Sequence, residues 1–137
     1  MGLTNENRND IVTYRIERAY MALEQAKSNL QMGYLEITAN RLYYAAYYAA
    51  SALLIAHEIR VKSHEGCIGQ FNLNFVKTGL VPIEMGKLFS TLFDMRITGD
   101  YSDRFDLTEN DVIPNIRPTE DFINKVTKMA KEKLQIM

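Results

Sequence analysis

Cysteine and long apolar runs are scarce in this chain of 137 residues. Cys67 is the single cysteine, so an internal disulfide is excluded, and a reducing compartment is expected. The most apolar stretch, residues 42–56, is too short to span a bilayer, and the polar residues 1–10 do not resemble a signal peptide. The composition therefore predicts a cytoplasmic protein that contacts no membrane.

Neither sign of charge is in excess. Lys and Arg number 16, Asp and Glu number 17, and the formal net charge is −1. This balance provides no overall attraction to nucleic acid, so an RNA-binding surface would have to be a local patch. The two histidines and the lone cysteine are a poor zinc-ligand set, and no glycine-rich phosphate loop is present. We therefore predict neither a metal site nor a cofactor.

Proline is also rare, with three residues that all lie in the second half of the chain. Long helices are therefore permitted, and apolar residues recur at helical spacing over residues 9–32 and 34–58. Gly33 between these segments is typical of a helix end. No strand pattern competes. The sequence predicts one domain, residues 1–137, folded as an all-α, up-and-down four-helix bundle with an additional short helix.

The second half of the chain carries weaker helix signals. A short helix is predicted over residues 64–77, although its glycines weaken its start. A fourth helix should begin near Pro82, which suits a first turn, and stop near Gly99, before a polar loop over residues 100–106. The last helix is expected to start around Pro118.

The second predicted helix is apolar nearly all round, because three adjacent stripes of Ala, Leu, Ile and Tyr cover it. Such a helix is buried nearly all round. A single small bundle offers it limited cover. We therefore expect part of its surface to face a second subunit, in a homodimer.

Arg96 is the first candidate for chemistry, because it shares a helix face with Phe89, Leu92 and Phe93. A cation on the apolar side of a helix needs a partner. One interpretation is an internal clamp with a nearby carboxylate. The other is a phosphate-binding arginine at a helix end. The carboxylates within reach in the sequence are Asp94, Asp100 and Asp103.

The residues after Arg96 extend this candidate site. Gly99 is expected to end the helix in the left-handed conformation, so that Asp100 and Tyr101 turn back toward the bundle. Tyr101 would then either stack on a base or close the end of the bundle.

Two further candidates lie in the first half of the chain. Arg41 stands beside four closely spaced tyrosines, including Tyr44, an arrangement that indicates either nucleic-acid binding or core packing. His64 follows Lys62 and Ser63, and it would either cap the short helix or bind an anion there.

In their order along the chain, these motifs resemble the HEPN superfamily. The similar stretches are residues 40–50 (NRLYYAAYYAA), 62–66 (KSHEG), 75–79 (FVKTG) and 96–101 (RITGDY), and the resemblance covers about residues 10–135. More narrowly, they resemble a small stand-alone prokaryotic branch with an Arg-x-x-Ala/Gly-Asp-Tyr motif. The resemblance implies a helical bundle, usually dimeric. It also implies a toxin beside a minimal nucleotidyltransferase antitoxin, or another RNA-directed defence role.

The resemblance also implies a site. Active HEPN ribonucleases carry an arginine followed by a histidine, and two copies of this motif meet at the dimer interface for metal-independent cleavage. Arg96 matches the arginine and is the implied catalytic residue. Tyr101 stands where the histidine is expected, and a tyrosine is a poor general base near neutral pH. The tyrosine that a partner transferase adenylylates in the family would fall at Asp103, and Tyr101 is a hypothetical acceptor here only because it lies nearby.

The function predicted from these residues is RNA or nucleotide binding. The alternatives are an endoribonuclease with an altered site and a purely structural bundle. A nuclease would need a base to replace the absent histidine, and His64 could serve only if the fold brings it to Arg96. The predicted ligand-binding residues are Arg96, Asp100, Tyr101, Arg41, Tyr44 and His64.

Overall fold

The computed structural model describes residues 3–101 and 107–136, and of residue 101 it describes the backbone alone. Within these ranges there is no strand, so the predicted all-α fold is confirmed. None of the helices there is long and apolar enough to cross a membrane. The helices are α1 (Asn5–Gln31), α2 (Leu35–Ala56), α3 (His64–Phe71), α4 (Ile83–Tyr101), α5 (Glu109–Val112) and α6 (Ile116–Leu134).

Helix α2 lies at the centre of the bundle, with α1, α4 and α6 packed against it. Its alanines allow close approach on several sides, and Ala39, Ala46 and Ala49 are fully buried. The helix is therefore covered largely by the same chain, and its apolar character does not itself require a second subunit. The homodimer stays a prediction that rests on the family resemblance.

Helix α1 starts at Asn5, earlier than predicted, because Thr4 caps it by accepting a hydrogen bond from the Asn7 N–H at 3.1 Å. At its other end, Gly33 has φ +80° and Tyr34 donates its N–H to the Asn29 carbonyl at 2.9 Å. This left-handed end confirms the prediction for Gly33. It turns the chain back so that α1 and α2 pack side by side.

Helix α2 ends at Ala56, and Glu58 then adopts a left-handed conformation with φ +60°. The Ile59 N–H donates to the Leu54 carbonyl at 2.9 Å, which closes the helix end. The Glu58 carboxylate accepts a hydrogen bond from Arg8 Nη2 at 3.1 Å. The start of α1 is therefore tied to the end of α2.

Helix α3 continues through a π-helical turn, Asn72–Val76, so that the two together correspond to the predicted short helix. Helix α4 begins directly after Pro82, as predicted. Its Gly86 faces the π-helical turn, where an added Cβ would lie 2.7 Å from the Asn72 side-chain oxygen. A glycine at this position lets α4 pass close to the segment before it.

The predicted left-handed conformation at Gly99 is wrong, because Gly99 does not have a positive φ and the helix continues for two more residues to Tyr101. A Cβ at Gly99 would lie 3.2 Å from a methyl group of Leu107 and 3.5 Å from the Glu36 Cα. Gly99 therefore serves the close approach of α4 to the start of α2, and Asp100 belongs to the helix. The rest of the predicted loop, residues 102–106, lies outside the described residues.

Helix α5 and a following 3₁₀ turn, Ile113–Asn115, were not predicted. The Asp111 carboxylate accepts hydrogen bonds from the Thr108 N–H at 2.8 Å and from its hydroxyl at 2.9 Å, which hold the pKa of Asp111 below its usual range. Helix α6 starts at Ile116, slightly earlier than expected, with Pro118 in its first turn. These elements close the bundle against α2.

Candidate functional site

Four tyrosines of α2 form an aromatic cluster with different degrees of exposure. Tyr43 is fully buried, whereas Tyr44, Tyr47 and Tyr48 are partly exposed. The ring centroids of Tyr43 and Tyr44 are 5.2 Å apart, and those of Tyr43 and Tyr47 are 6.1 Å apart. These separations are typical of aromatic pairs in protein interiors. Core packing therefore accounts for Tyr43, while the other three also reach the surface.

Arg96 lies near the end of α4 and directs its guanidinium at this cluster. Its side chain is only 11% exposed. Its Cζ lies 5.2 Å from the centroid of the Tyr43 ring and 5.6 Å from that of Tyr44, within cation–π range. Its Nη1 donates a hydrogen bond to the Tyr44 hydroxyl at 3.3 Å. The structure thus places the cation on the apolar side of α4, as its spacing in the sequence indicates.

Asp100 is a carboxylate partner of Arg96. Its Oδ2 lies 3.8 Å from Arg96 Nη1 and also accepts a hydrogen bond from Asn40 Nδ2 at 3.1 Å. A separation of 3.8 Å is an ion pair beyond hydrogen-bond distance. Of the other two predicted partners, Asp94 is exposed and Asp103 lies outside the described residues.

A second arginine contacts the ring of Tyr44. The Cζ of Arg41 lies 5.1 Å from its centroid. Arg41 donates to Asn40 Oδ1 through Nε at 3.0 Å and Nη2 at 2.8 Å, and to Gln25 through Nη1 at 3.2 Å. Asn40 therefore orients Arg41 with its oxygen and Asp100 with its nitrogen. Sequence reasoning missed this role, because a polar amide on a helix gives no periodic signal.

The predicted capping role of His64 is wrong, because Ser63 caps α3. The Ser63 hydroxyl oxygen accepts a hydrogen bond from the Gly66 N–H at 2.9 Å. His64 is the next residue, so its imidazole can turn toward α2.

The imidazole of His64 contacts the same tyrosines as Arg96. Its Nδ1 is 2.6 Å from the Tyr43 hydroxyl, and its ring centroid is 5.7 Å from that of Tyr44 and 4.6 Å from that of Tyr47. Burial, followed by the positive charge of Arg96, lowers the pKa of His64, so the imidazole is neutral near pH 7. Burial raises the pKa of Tyr43, whose hydroxyl stays protonated.

The structure therefore brings five of the six candidate residues together. We call this group the arginine–tyrosine cluster: Arg96, Asp100, Arg41, Tyr44 and His64, with Asn40 and Tyr43 between them. Tyr101 is the last residue of α4, and its side chain lies outside the described part of the chain.

Among the described residues of the cluster, the arginines outnumber the carboxylates, in a chain whose overall charge is near zero. Two arginines face one carboxylate, and the imidazole is neutral. In chemical terms it offers cations for phosphate oxygens, rings for stacking, and an imidazole that can accept a proton. Among the described residues, no group of three or more His, Cys, Asp or Glu side chains is placed to hold a metal ion.

The fold and the cluster define a small helical protein of the HEPN type. The family model described as HEPN domain matches residues 12–132, a range that includes the whole arginine–tyrosine cluster. The chain belongs to the HEPN family.

Relatives of this chain include proteins named as toxins. It is 38% identical to a UPF0332 protein of Thermotoga maritima, over 89% of this chain and 92% of that protein. It is 29% identical to Putative toxin MJ0605 of Methanocaldococcus jannaschii, over 95% and 96% of the two chains. With Putative toxin MJ0142 of the same organism it shares 26% identity, over 82% and 77%.

Proposed function

We propose that this chain binds RNA through the arginine–tyrosine cluster, as a toxin-like HEPN protein. The observation that carries the proposal is the guanidinium of Arg96, withdrawn from solvent and resting on the rings of Tyr43 and Tyr44. A guanidinium presents paired N–H donors that match phosphate oxygens. Aromatic rings beside it stack on unpaired bases, the usual mode of single-stranded RNA recognition.

The charges of the cluster support phosphate binding. Arg41 adds a second cation beside Tyr44, while Asp100 provides a carboxylate 3.8 Å from Arg96 Nη1. A phosphate that accepts two short, charge-assisted hydrogen bonds from a guanidinium is bound more strongly than a carboxylate at that separation. RNA therefore competes with Asp100 for Arg96.

The proposed setting is a toxin–antitoxin or defence system in the cytoplasm, with a homodimer as the active form and a minimal nucleotidyltransferase as partner. Membership of the HEPN family and the names of two relatives support it. Co-purification with a nucleotidyltransferase encoded nearby tests the partner, and sedimentation equilibrium tests the dimer. If the protein is a monomer and co-purifies with no such enzyme, the proposed setting is overturned. RNA binding is then tested separately.

The same partner would adenylylate Tyr101, the last residue of α4. In this step the phenol oxygen attacks the α-phosphorus of ATP, pyrophosphate leaves, and the phenolic proton passes to solvent. Mass spectrometry after co-expression is expected to find one adenylyl group on the peptide that contains Tyr101. An unmodified peptide would overturn this assignment.

The position of His64 favours a second function, metal-independent cleavage of RNA. His64 and Arg96 both contact Tyr43 and Tyr44, and the imidazole is neutral near pH 7. It can take the proton of a ribose 2′-hydroxyl, whose oxygen then attacks the adjacent phosphorus, while the 5′-oxygen leaves with a proton from water. Arg96 would stabilise the negative charge on the phosphate oxygens. His64 would thus replace, from another helix, the histidine absent after Arg96.

Labelled single-stranded RNA with a chelator tests both functions, with binding and cleavage read from the same samples. The variants are Arg96→Ala, His64→Gln and, as a control, Arg117→Ala. Arg117 suits the control because it is an exposed arginine on α6 whose side chain contacts Asp121.

The outcomes separate the two functions. Binding that is lost in Arg96→Ala and kept in His64→Gln and Arg117→Ala supports RNA binding. Cleavage that is lost in both Arg96→Ala and His64→Gln supports the ribonuclease. RNA bound equally by the native chain and Arg96→Ala, or bound by neither, would overturn the proposed function.

A further inference from the structure

The buried hydroxyl group of Tyr43 faces the imidazole of His64. Tyr43 is fully buried, and its hydroxyl oxygen lies 2.6 Å from Nδ1 of His64. Within the part of the chain that the structure describes, this hydroxyl has no other hydrogen-bond partner. A phenol and an imidazole nitrogen can each donate or accept, so the direction of this hydrogen bond decides which nitrogen of His64 carries the proton.

Tyr43 is the donor of this hydrogen bond. If Nδ1 donated instead, the phenolic proton would be buried without an acceptor, which is less favourable than an unused lone pair on the phenol oxygen. Arg96 cannot accept that proton, because a guanidinium has donors only, although its Cζ lies 5.2 Å from the centroid of the Tyr43 ring. Nδ1 of His64 is therefore the acceptor.

The direction of this bond fixes the tautomer of His64. Burial and the charge of Arg96 lower the pKa of His64, against an opposing effect of Glu65, so the imidazole is neutral near pH 7 and carries one proton. Because Nδ1 accepts from Tyr43, that proton lies on Nε2. The His64 side chain is partly exposed, and among the described residues Nε2 has no hydrogen-bond partner. An N–H donor is thus available for a ligand.

This donor lies beside the guanidinium of Arg96. The imidazole centroid is 5.6 Å from that of Tyr43 and 5.7 Å from that of Tyr44, while the Cζ of Arg96 is 5.2 Å and 5.6 Å from the same two centroids. A phosphate that accepts from the guanidinium has further oxygens for another donor. A neutral imidazole supplies that donor without a second positive charge for Arg96 to repel.

We propose that Tyr43 is a positioning residue: its buried hydroxyl keeps the proton of His64 on Nε2, and this N–H donates to the RNA phosphate that Arg96 binds. Tyr43 itself does not contact RNA. This role of His64 rests on the proposed RNA binding, whereas the tautomer does not.

The proposed tautomer also distinguishes the two functions of the cluster. A base that takes the proton of a ribose 2′-hydroxyl needs an unprotonated nitrogen facing the RNA, and here Nε2 already carries a proton. Nδ1 is unprotonated but is occupied by the Tyr43 hydroxyl. The arrangement therefore favours binding over cleavage, and cleavage that is lost in His64→Gln would overturn the inference.

NMR of the histidine side-chain nitrogens measures the tautomer in the native chain without RNA, at about pH 8, where the imidazole is neutral. The chain has two histidines, so His57→Gln assigns the signals of His64. The expected result is a protonated Nε2 and an unprotonated Nδ1. A proton on Nδ1 would overturn the inference, whatever the protein does with RNA.

Tyr43→Phe tests whether the hydroxyl fixes the tautomer. The matched control is Tyr47→Phe, because the Tyr47 ring lies 4.6 Å from that of His64 while its hydroxyl has no hydrogen bond among the described residues. Tyr43→Phe should give a mixture of tautomers and weaken RNA by about twofold to fivefold, since the donor is present in only part of the molecules. Tyr47→Phe should keep the native tautomer. The native tautomer in both variants would overturn the role of Tyr43.

Two amides at position 64 test the donor to RNA. Asn places its amide at about the position of Nδ1, so it keeps an acceptor for Tyr43 and has no donor at Nε2, whereas Gln places a donor at about the position of Nε2. RNA affinity in fluorescence anisotropy should fall by about tenfold in His64→Asn and stay near the native value in His64→Gln.

Arg96→Ala separates the inference from the proposed function. If His64→Asn binds RNA like the native chain while Arg96→Ala does not, the donor role of His64 is overturned and the RNA function stands. If Arg96→Ala also binds like the native chain, the proposed function fails, and the NMR result alone decides whether Tyr43 fixes the tautomer. Thermal melting identifies any loss of affinity that comes from unfolding of a variant.

Discussion

Arg8 and Arg96 are both withdrawn from solvent, with side chains 8% and 11% exposed, but their surroundings differ in kind. Arg8 donates to the Asn5 side chain, the Leu3 carbonyl and the Glu58 carboxylate, all within 3.1 Å. Among its described contacts, Arg96 lies over tyrosine rings, donates to the Tyr44 hydroxyl at 3.3 Å, and forms an ion pair with Asp100 that spans 3.8 Å. Several short hydrogen bonds to oxygen acceptors hold an arginine in the structure, whereas aromatic rings orient a guanidinium through its face. Burial of a charge is therefore no guide to function without the identity of its partners.

The largest effect expected concerns the stability of Arg8→Ala. Its free energy of unfolding should fall by about 2 kcal/mol, because the charge-assisted hydrogen bonds of Arg8 are lost, including the one to Glu58 that ties α1 to the end of α2. Urea denaturation measures this change. As a control, Arg117→Ala removes an arginine that is 83% exposed, and it should alter stability by no more than about 0.5 kcal/mol. Equal stability of the two variants would mean that Arg8 is not a structural tie.

Arg96→Met should show the opposite behaviour. RNA affinity is expected to fall by about tenfold or more, since the cation is lost, while the free energy of unfolding stays within about 1 kcal/mol of the native value. The methionine still packs on the tyrosine rings. Anisotropy and urea denaturation measure the two quantities. A stability loss like that of Arg8→Ala, with unchanged RNA affinity, would make Arg96 a second structural tie.

Asp100→Asn sharpens the comparison with a gain of affinity. The variant removes the carboxylate that competes with RNA phosphate for Arg96, so RNA should bind about twofold to fivefold more tightly. Salt titration should show the gain shrinking as ionic strength rises. Asp121→Asn is the matched change at the exposed pair with Arg117, and it should leave RNA affinity unchanged. Weaker binding by Asp100→Asn would mean that the carboxylate positions the site instead of competing with RNA.

The smallest effect expected is a pH dependence of stability. Burial and the charge of Arg96 lower the pKa of His64 from its ordinary value of 6.5, which the unfolded chain retains. Below that value the unfolded chain binds the proton first, so the free energy of unfolding decreases as the pH falls. Burial also lowers the pKa of His57. The pH dependence of stability is therefore compared between His64→Gln and His57→Gln. NMR titration should also show a higher His64 pKa in Arg96→Met and an unchanged one in Arg8→Ala.

The first half of the fold follows from local patterns in the sequence. The apolar spacing predicts both long helices, and Gly33 marks the turn between them, because helix ends of this kind depend on neighbouring backbone groups alone. Helix ends that depend on side-chain caps were predicted less accurately. Thr4 moves the start of α1, and Arg8 ties the early helix to Glu58, a contact between distant parts of the chain.

Gly99 shows why sequence alone could not locate the end of α4. A glycine near the end of an apolar pattern is equally suited to a left-handed cap and to close packing of two helices. The choice is made by Glu36 and Leu107, which approach Gly99 from other elements. Helix α5 was missed because four residues are too few to show a helical period.

The candidate site was predicted residue by residue and not as an arrangement. Spacing predicts the apolar-side position of Arg96, since that property belongs to one helix. The approach of His64 to Arg96 depends on three separate parts of the chain. Ser63 ends the connection from α2 to α3, α2 carries Tyr43, and α4 carries Arg96. No pattern within one segment contains that information.

The sequence by itself determined the helical class, the two long helices and the presence of a cation on the apolar side of α4, because each follows from periodicity along one segment. The tertiary structure decided that His64 and Arg96 share the Tyr43–Tyr44 pair, and that the buried Tyr43 hydroxyl meets the His64 imidazole. These contacts join residues far apart in the chain. They form only when close packing of α1, α3 and α4 around the small side chains of α2 makes up for the chain entropy lost in ordering them.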